Sequence, residues 1–270
     1  MLSAVQIFGE SLVMAGLKRI SPILTGLVLS LSVGYLTPSY AATSPPPADI
    51  TALISKIDQA ANSRQLPALL ENFSASYTVD GMNRSLWQQQ VSSLWQRYSN
   101  LRYRTTIQNW KQDASGISID ITTQIDGAST ENGKQNKLVA KIQARQYVVN
   151  GKVARQQILN EQVRSSSGLK PPTVDMIVPD KLRPSEEYNV DVIVQEPLND
   201  DVMMGALSEQ PVSTGSYGKA TPYKLELLST GGLFKNARAP SKAGDYWLSA
   251  VFVRPDGITT ITRRIHVRRT

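Results

Sequence analysis

Apolar residues recur at two different spacings along this chain, and the change of period divides it. Ile50, Leu53, Ile54, Ile57 and Ala61 fall three and four apart, which predicts a first amphipathic helix with Asp49 near its positive end. Asn62-Ser63 breaks it. A short second helix is expected from about Pro67, burying Leu66, Leu69, Leu70 and Phe73. Asp80-Gly81 marks a turn. A third helix is expected from Asn83 or Ser85, with Trp87, Val91, Leu94, Trp95 and Tyr98 on its face.

From Leu101 the period becomes two. Leu101, Tyr103, Thr105 and Ile107 alternate with polar residues, and Ile117 to Ile125 do the same, as in half-buried antiparallel strands. Asn150-Gly151 closes a long hairpin. Folded there, it sets Val148 opposite Val153, Ile142 opposite Leu159 and Leu138 opposite Val163. Arg164 to Pro172, rich in Ser, Gly and Pro, reads as a linker. Beyond it about seven short apolar runs, the last from Thr259 to Val267, are separated by turn residues. That is the pattern of a β-sandwich. Its sixth strand buries either Tyr246, Leu248, Ala250 and Phe252 or Trp247, Val251 and Val253.

The start of the chain has a different character. Lys18-Arg19 precede the uncharged run Ile20–Leu36, followed by Pro38 and the small residues Ser39 and Ala41. This is the pattern of a secretory signal peptide over residues 1–41, and Met14 is the more ordinary beginning for it. The expected destination is the periplasm or the exterior. The chain has no Cys, so neither a lipid anchor at the cleavage point nor a disulfide can form. Residues 42–47 read as a Pro-rich spacer. The expected units are then 48–165, a linker at 166–172, and 173–270.

Residues 42–270 carry 27 basic and 21 acidic side chains, a net +6. That balance suits an anionic surface or an envelope protein as partner, while the compartment argues against nucleic acid.

The order of elements in 48–165 resembles the NTF2-like superfamily, which includes SnoaL-like and ketosteroid isomerase-like proteins. The short helix ending in Leu69-Leu70-Glu71-Asn72-Phe73-Ser74-Ala75-Ser76-Tyr77, the aromatic third helix and the four curved strands carry the resemblance. The second part resembles a bacterial immunoglobulin-like or fibronectin III-like module through Ala243-Gly244-Asp245-Tyr246-Trp247. The fold class implied is an α+β cone, three helices on a curved antiparallel sheet, joined to an all-β sandwich. The first resemblance also implies a pocket in the cone and a homodimer through the outer sheet face.

On such a cone an Asp base works opposite a Tyr, which makes Asp80 and Tyr77 the catalytic candidates for a lyase or isomerase acting on a small hydrophobic substrate. Asp80-Gly81 is also ordinary turn chemistry, and the first part has no His. Tyr77, Trp87, Trp95, Tyr98, Tyr103, Trp110 and Tyr147 either fill the cone or line a pocket for a small hydrophobic ligand. Asp120 reads as part of a solvated or dimer-forming face. His266 is alone among Arg263, Arg264, Arg268 and Arg269, which either dock an anionic partner or, the leading reading, charge an edge strand, and Asn199-Asp200-Asp201 reads as a loop. No metal, cofactor or phosphate loop is expected. The leading expectation is an exported, non-catalytic binding or scaffold protein of the cell envelope, with the isomerase as the alternative.

Overall fold

Three Xaa-Gly pairs set the sharp reversals. Asp80-Gly81, Asn132-Gly133 and Asn150-Gly151 each take positive φ at both positions, between 50° and 76°, the geometry whose twist matches that of paired strands. The computed structural model describes residues 45–197, 202–219, 223–228 and 231–269. The expected signal peptide and the Asn199-Asp200-Asp201 run lie outside them.

The helices are α1 (Ala48–Asn62), α2 (Leu66–Glu71) and α3 (Arg84–Arg97). Asn83 caps α3 by accepting from the Leu86 N–H. The strands of the first part are β1 (Phe73–Val79), β2 (Met82–Asn83), β3 (Asn100–Asp113), β4 (Gly116–Glu131), β5 (Lys134–Val149) and β6 (Lys152–Gly168). The second part contributes β7 (Val174–Ile177), β8 (Lys181–Leu182), β9 (Glu187–Val194), β10 (Met204–Pro211), β11 (Glu226–Leu227), β12 (Gly232–Arg238), β13 (Gly244–Arg254) and β14 (Gly257–Val267).

The expected fold class is overturned. Among the described residues 58% are strand and 16% helix, with three helices, and one large, mostly antiparallel sheet replaces the α+β cone joined to a separate sandwich. Its main path runs β11-β10-β13-β14-β6-β5-β4-β3 through both parts of the chain. The join is β6 against β14, with Arg164 opposite Ile261 and Gly168 opposite Gly257. Residues 166–168, read as linker from their Ser and Gly content, therefore complete a strand. Ser166 and Ser167 find backbone partners on both sides, in β5 and β14, and Gly168 in β14, and paired backbone outweighs composition. The rest of that segment is pinned too. Leu169 and Lys170 donate backbone N–H groups to Asp256 O, and a Cβ at Gly257 would meet Pro171 at 2.4 Å.

Three local expectations also change. Phe73–Val79 is a strand, parallel to β6, rather than a helix end. The β5–β6 hairpin starts with Val148 opposite Val153, but two bulges in β6 shift the register beyond them, so that Ile142 faces Glu161 and Leu138 faces Ser165. Strand β14 is internal, between β13 and β6, so its arginines do not guard an edge.

The sheet has a core on each face. Helices, β1 and the inward residues of β3–β6 form one, including Ile57, Trp87, Ile121 and Ile142. In the second part the opposite face packs against a three-stranded sheet, β12-β9-β7. That core takes Val190, Val192, Tyr246, Leu248, Phe252 and Ile265. Alternation along β13 decides between the two candidate sets: the even residues enter this second core, while Trp247 is buried on the face of the first.

The outer edge of the sheet is β3, and α1 covers part of it. Asn62 donates to Tyr103 O at 3.0 Å and accepts the Tyr103 N–H at 2.7 Å. Asp58 accepts the Thr105 N–H and hydroxyl, both at 2.7 Å. Side-chain groups thus stand in for a neighbouring strand. Replacing Asp58 and Asn62 together by Ala is expected to cost about 1–3 kcal/mol in denaturant unfolding and to produce self-association in sedimentation. A variant that stays monomeric and equally stable would contradict the capping role.

Candidate functional site

The aromatic candidates separate into three groups. Phe73 and Tyr77 on β1 meet Trp87 of α3, with ring centroids at 4.8 Å for Phe73–Tyr77, 4.4 Å for Phe73–Trp87 and 5.0 Å for Tyr77–Trp87. Tyr77 and Trp87 have no exposed surface. The Tyr77 hydroxyl and Trp87 indole N–H have no hydrogen-bond partner among the described residues. Burial, then the charge of Asp80, pushes the Tyr77 hydroxyl pKa well up. Trp95 donates its indole N–H to the Tyr103 hydroxyl at 2.9 Å, tying α3 to β3; burial also raises Tyr103. Tyr98 is buried in the same core, and Trp110 packs against it half-buried. Tyr147 lies on the opposite sheet face, with the Arg155 guanidinium 3.8 Å from its ring centroid. Among the described residues, cavities of about 340 and 550 Å³ open at the surface. Neither is walled by Asp80 or by any of these seven aromatics. The larger one sits between the β4–β5 turn and the β13–β14 turn, over Met204, Val253 and Ile258.

Asp80 belongs to a different assembly. The β1–β2 turn points it at β14, where Arg264 is buried with 1% exposure. Arg264 donates to both Asp80 oxygens, at 3.1 and 2.6 Å. It also donates to Glu161 Oε2 on β6 at 3.1 Å and to Asp245 Oδ2 on β13 at 3.1 Å. Glu161 is fully buried and accepts further from the Trp247 indole at 3.1 Å. Tyr217 donates to Asp80 Oδ2 at 2.6 Å and packs edge-on against Trp247 at 4.9 Å. His266 Nδ1 lies 2.9 Å from Asp245 Oδ1 and its Nε2 2.9 Å from Leu159 O, and Arg268 also reaches Asp245.

The charges follow from burial and neighbours. Burial alone would lower the Arg264 pKa, but Glu161 and Asp80 more than offset it and hold the guanidinium charged. Burial raises the Glu161 carboxyl against the pull of Arg264. Burial also acts to raise Asp245, yet donation from His266 and Arg268 prevails and keeps it well below the usual carboxylate range. The assembly is a cross-brace: each partner of Arg264 comes from a different stretch of chain, and two of them lie in the first part.

Of these residues, only Asp80 is a site candidate on sequence grounds. Glu161 offered a signal, since it alternates with Leu159 and Val163 on the side of the hairpin that reads as apolar, where a carboxylate needs a buried cation. Which cation answers it depends on the β6–β14 pairing. Asp120, on the outer sheet face, is held by Arg145 through contacts of 2.6 and 2.8 Å. Among the described residues no group of three or more His, Asp or Glu could hold a metal, and no helix is long and apolar enough to cross a membrane.

Fold and site together define a mostly β protein whose two parts share one sheet and one buried ion cluster. A family model, Domain of unknown function (DUF8623), matches residues 169–268. No curated protein matches the chain. Among solved structures, Bd1075 of Bdellovibrio bacteriovorus is similar over 41% of this chain at 12% identity and a TM-score of 0.31, and the match spans 38% of that protein's length. A polyketide cyclase of Sinorhizobium meliloti is similar over 41% of this chain and 97% of its own, at 12% identity and a TM-score of 0.29. A loop-truncated variant of IdmH is similar over 40% of this chain and 90% of its own, at 14% identity and a TM-score of 0.29. The last two neighbours have SnoaL-like or NTF2-like folds, and nothing among these matches supports an immunoglobulin-like second part.

Arg264→Met is expected to cost about 3–5 kcal/mol in denaturant unfolding, because it strands Asp80 and Glu161 in a dry site; a loss under about 1 kcal/mol would contradict the brace. Tyr77→Phe is expected to leave stability unchanged or raise it by up to about 1 kcal/mol, since no hydrogen bond is lost. A large loss would show a partner for that hydroxyl. The depressed Asp245 contributes stability above its unfolded pKa of about 4 that is lost as pH falls through its lower folded value. Asp245→Asn is therefore expected to flatten the stability profile below about pH 4, and an unchanged acid limb would count against the assignment.

Proposed function

We propose that this chain is an exported, non-catalytic binding or scaffold protein of the cell envelope, acting as a single platform built from both of its parts. The observation that carries this reading is the engagement of Asp80. A general base must turn a lone pair toward its substrate, whereas both Asp80 oxygens accept from Arg264 and one accepts from Tyr217 as well. Its side chain is 9% exposed. Tyr77, which stands opposite the base in the isomerase alternative, is closed off beneath Phe73 and Trp87. Both residues support a structural role better than a chemical one.

The experiment is a carboxylate-base assay with a nitrobenzisoxazole, whose ring opens on loss of one proton to a desolvated base. The purified protein is expected to match the buffer rate, and Asp80→Asn to leave that rate unchanged. A saturable rate that falls about tenfold or more in Asp80→Asn would establish the acid–base alternative instead.

A further inference from the structure

The outer face of β3–β6 carries the protein's excess charge. Cross-strand register places Lys111, Ser118, Tyr147 and Arg155 in one row, and Arg104, Gln124, Lys141 and Gln162 in another. Between the rows of Asn100 and Lys111 this face holds eight cations and two carboxylates, Asp120 and Asp126, a net +6. That equals the net charge of residues 42–270, so the rest of that chain is close to neutral. Arg145 is paired with Asp120 and Arg164 with Asp175. Arg102, Arg104, Lys111, Lys137, Lys141 and Arg155 are all exposed and form no ion pair with a described acid. Like charges on neighbouring strands repel, so such a face is relieved by an anionic partner.

The neutral positions narrow the partner. Thr106, Thr122, Gln143 and Asn160 form a full row of hydroxyls and amides between the two groups of cations. These groups exchange hydrogen bonds with sugar hydroxyls in both directions. The exposed large apolar residues here are Val139 and Val149, too few to enter a bilayer. A second copy of the chain would set one +6 face against another. We propose that this face binds an acidic polysaccharide, its carboxylate or phosphate groups on the cations and its hydroxyls on the intervening row. This rests on the reading of the chain as a binding protein and names the ligand class.

The test measures retention of residues 42–270 on polygalacturonate, with neutral dextran and phosphatidylglycerol vesicles as the other arms. Binding to polygalacturonate, absence of binding to dextran and loss in high salt are expected. Arg104→Gln with Lys141→Gln should weaken binding roughly tenfold and make its salt dependence shallower. Lys56→Gln with Lys181→Gln removes the same charge from exposed positions elsewhere and should change affinity by less than about twofold. Equal losses in the two double variants, no retention at low salt, or binding to vesicles in preference to the polymer would each overturn the proposal. The base assay is independent of this result: a catalytic Asp80 would remove the non-catalytic reading, whereas failed retention removes only the glycan.

Discussion

Arg264 is the residue on which the architecture turns. A guanidinium with no access to water is tolerable only where carboxylates and hydrogen-bond acceptors meet it on all sides. Here they arrive from the β1–β2 turn, from β6 and from β13. The ion cluster need not add net stability to do its work. Its contribution is alignment, because the carboxylates are satisfied only when β14 sits beside β6 in this register. The short segment 169–172 then has little freedom, and the chain runs as one sheet with cores on opposite faces.

That arrangement separates two tasks. The face bearing the aromatic core and the ion cluster is spent on holding the fold, with its aromatics packed ring against ring. The outer face of β3–β6 is supported from behind and keeps its cations toward solvent. Rigidity on one side and concentrated charge on the other are what a binding platform requires, since preorganised groups lose little entropy when they meet a partner.

Much of the local structure could be read from the sequence. The three-and-four spacing of Ile50 to Ala61 became α1, the alternation from Ile117 to Ile125 lies within β4, and Asn150-Gly151 makes its tight turn. The features that could not be read depend on distant pairing. The bulges that move Ile142 from Leu159 to Glu161 leave no mark in a pattern that looks self-consistent either way. Ser165 to Gly168 have the composition of a linker, and pairing with β5 and β14, neither of which composition reports, makes them a strand. Asp80-Gly81 was legible as a turn, but the arginine waiting for Asp80 lies 184 residues further on. Arg264 itself looked like one basic residue among several in an edge strand, because burial of a charge becomes visible only once its partners are in place.

One shared sheet and one buried ion cluster require the two parts of the chain to unfold together. Calorimetry of residues 42–270 at neutral pH tests this directly. One transition is predicted, with equal calorimetric and van't Hoff enthalpies, because the shared sheet and the Arg264 cluster couple the two cores. Two resolved transitions, or a calorimetric enthalpy well above the van't Hoff value, would mean that each core folds on its own and that the cluster joins them only in passing.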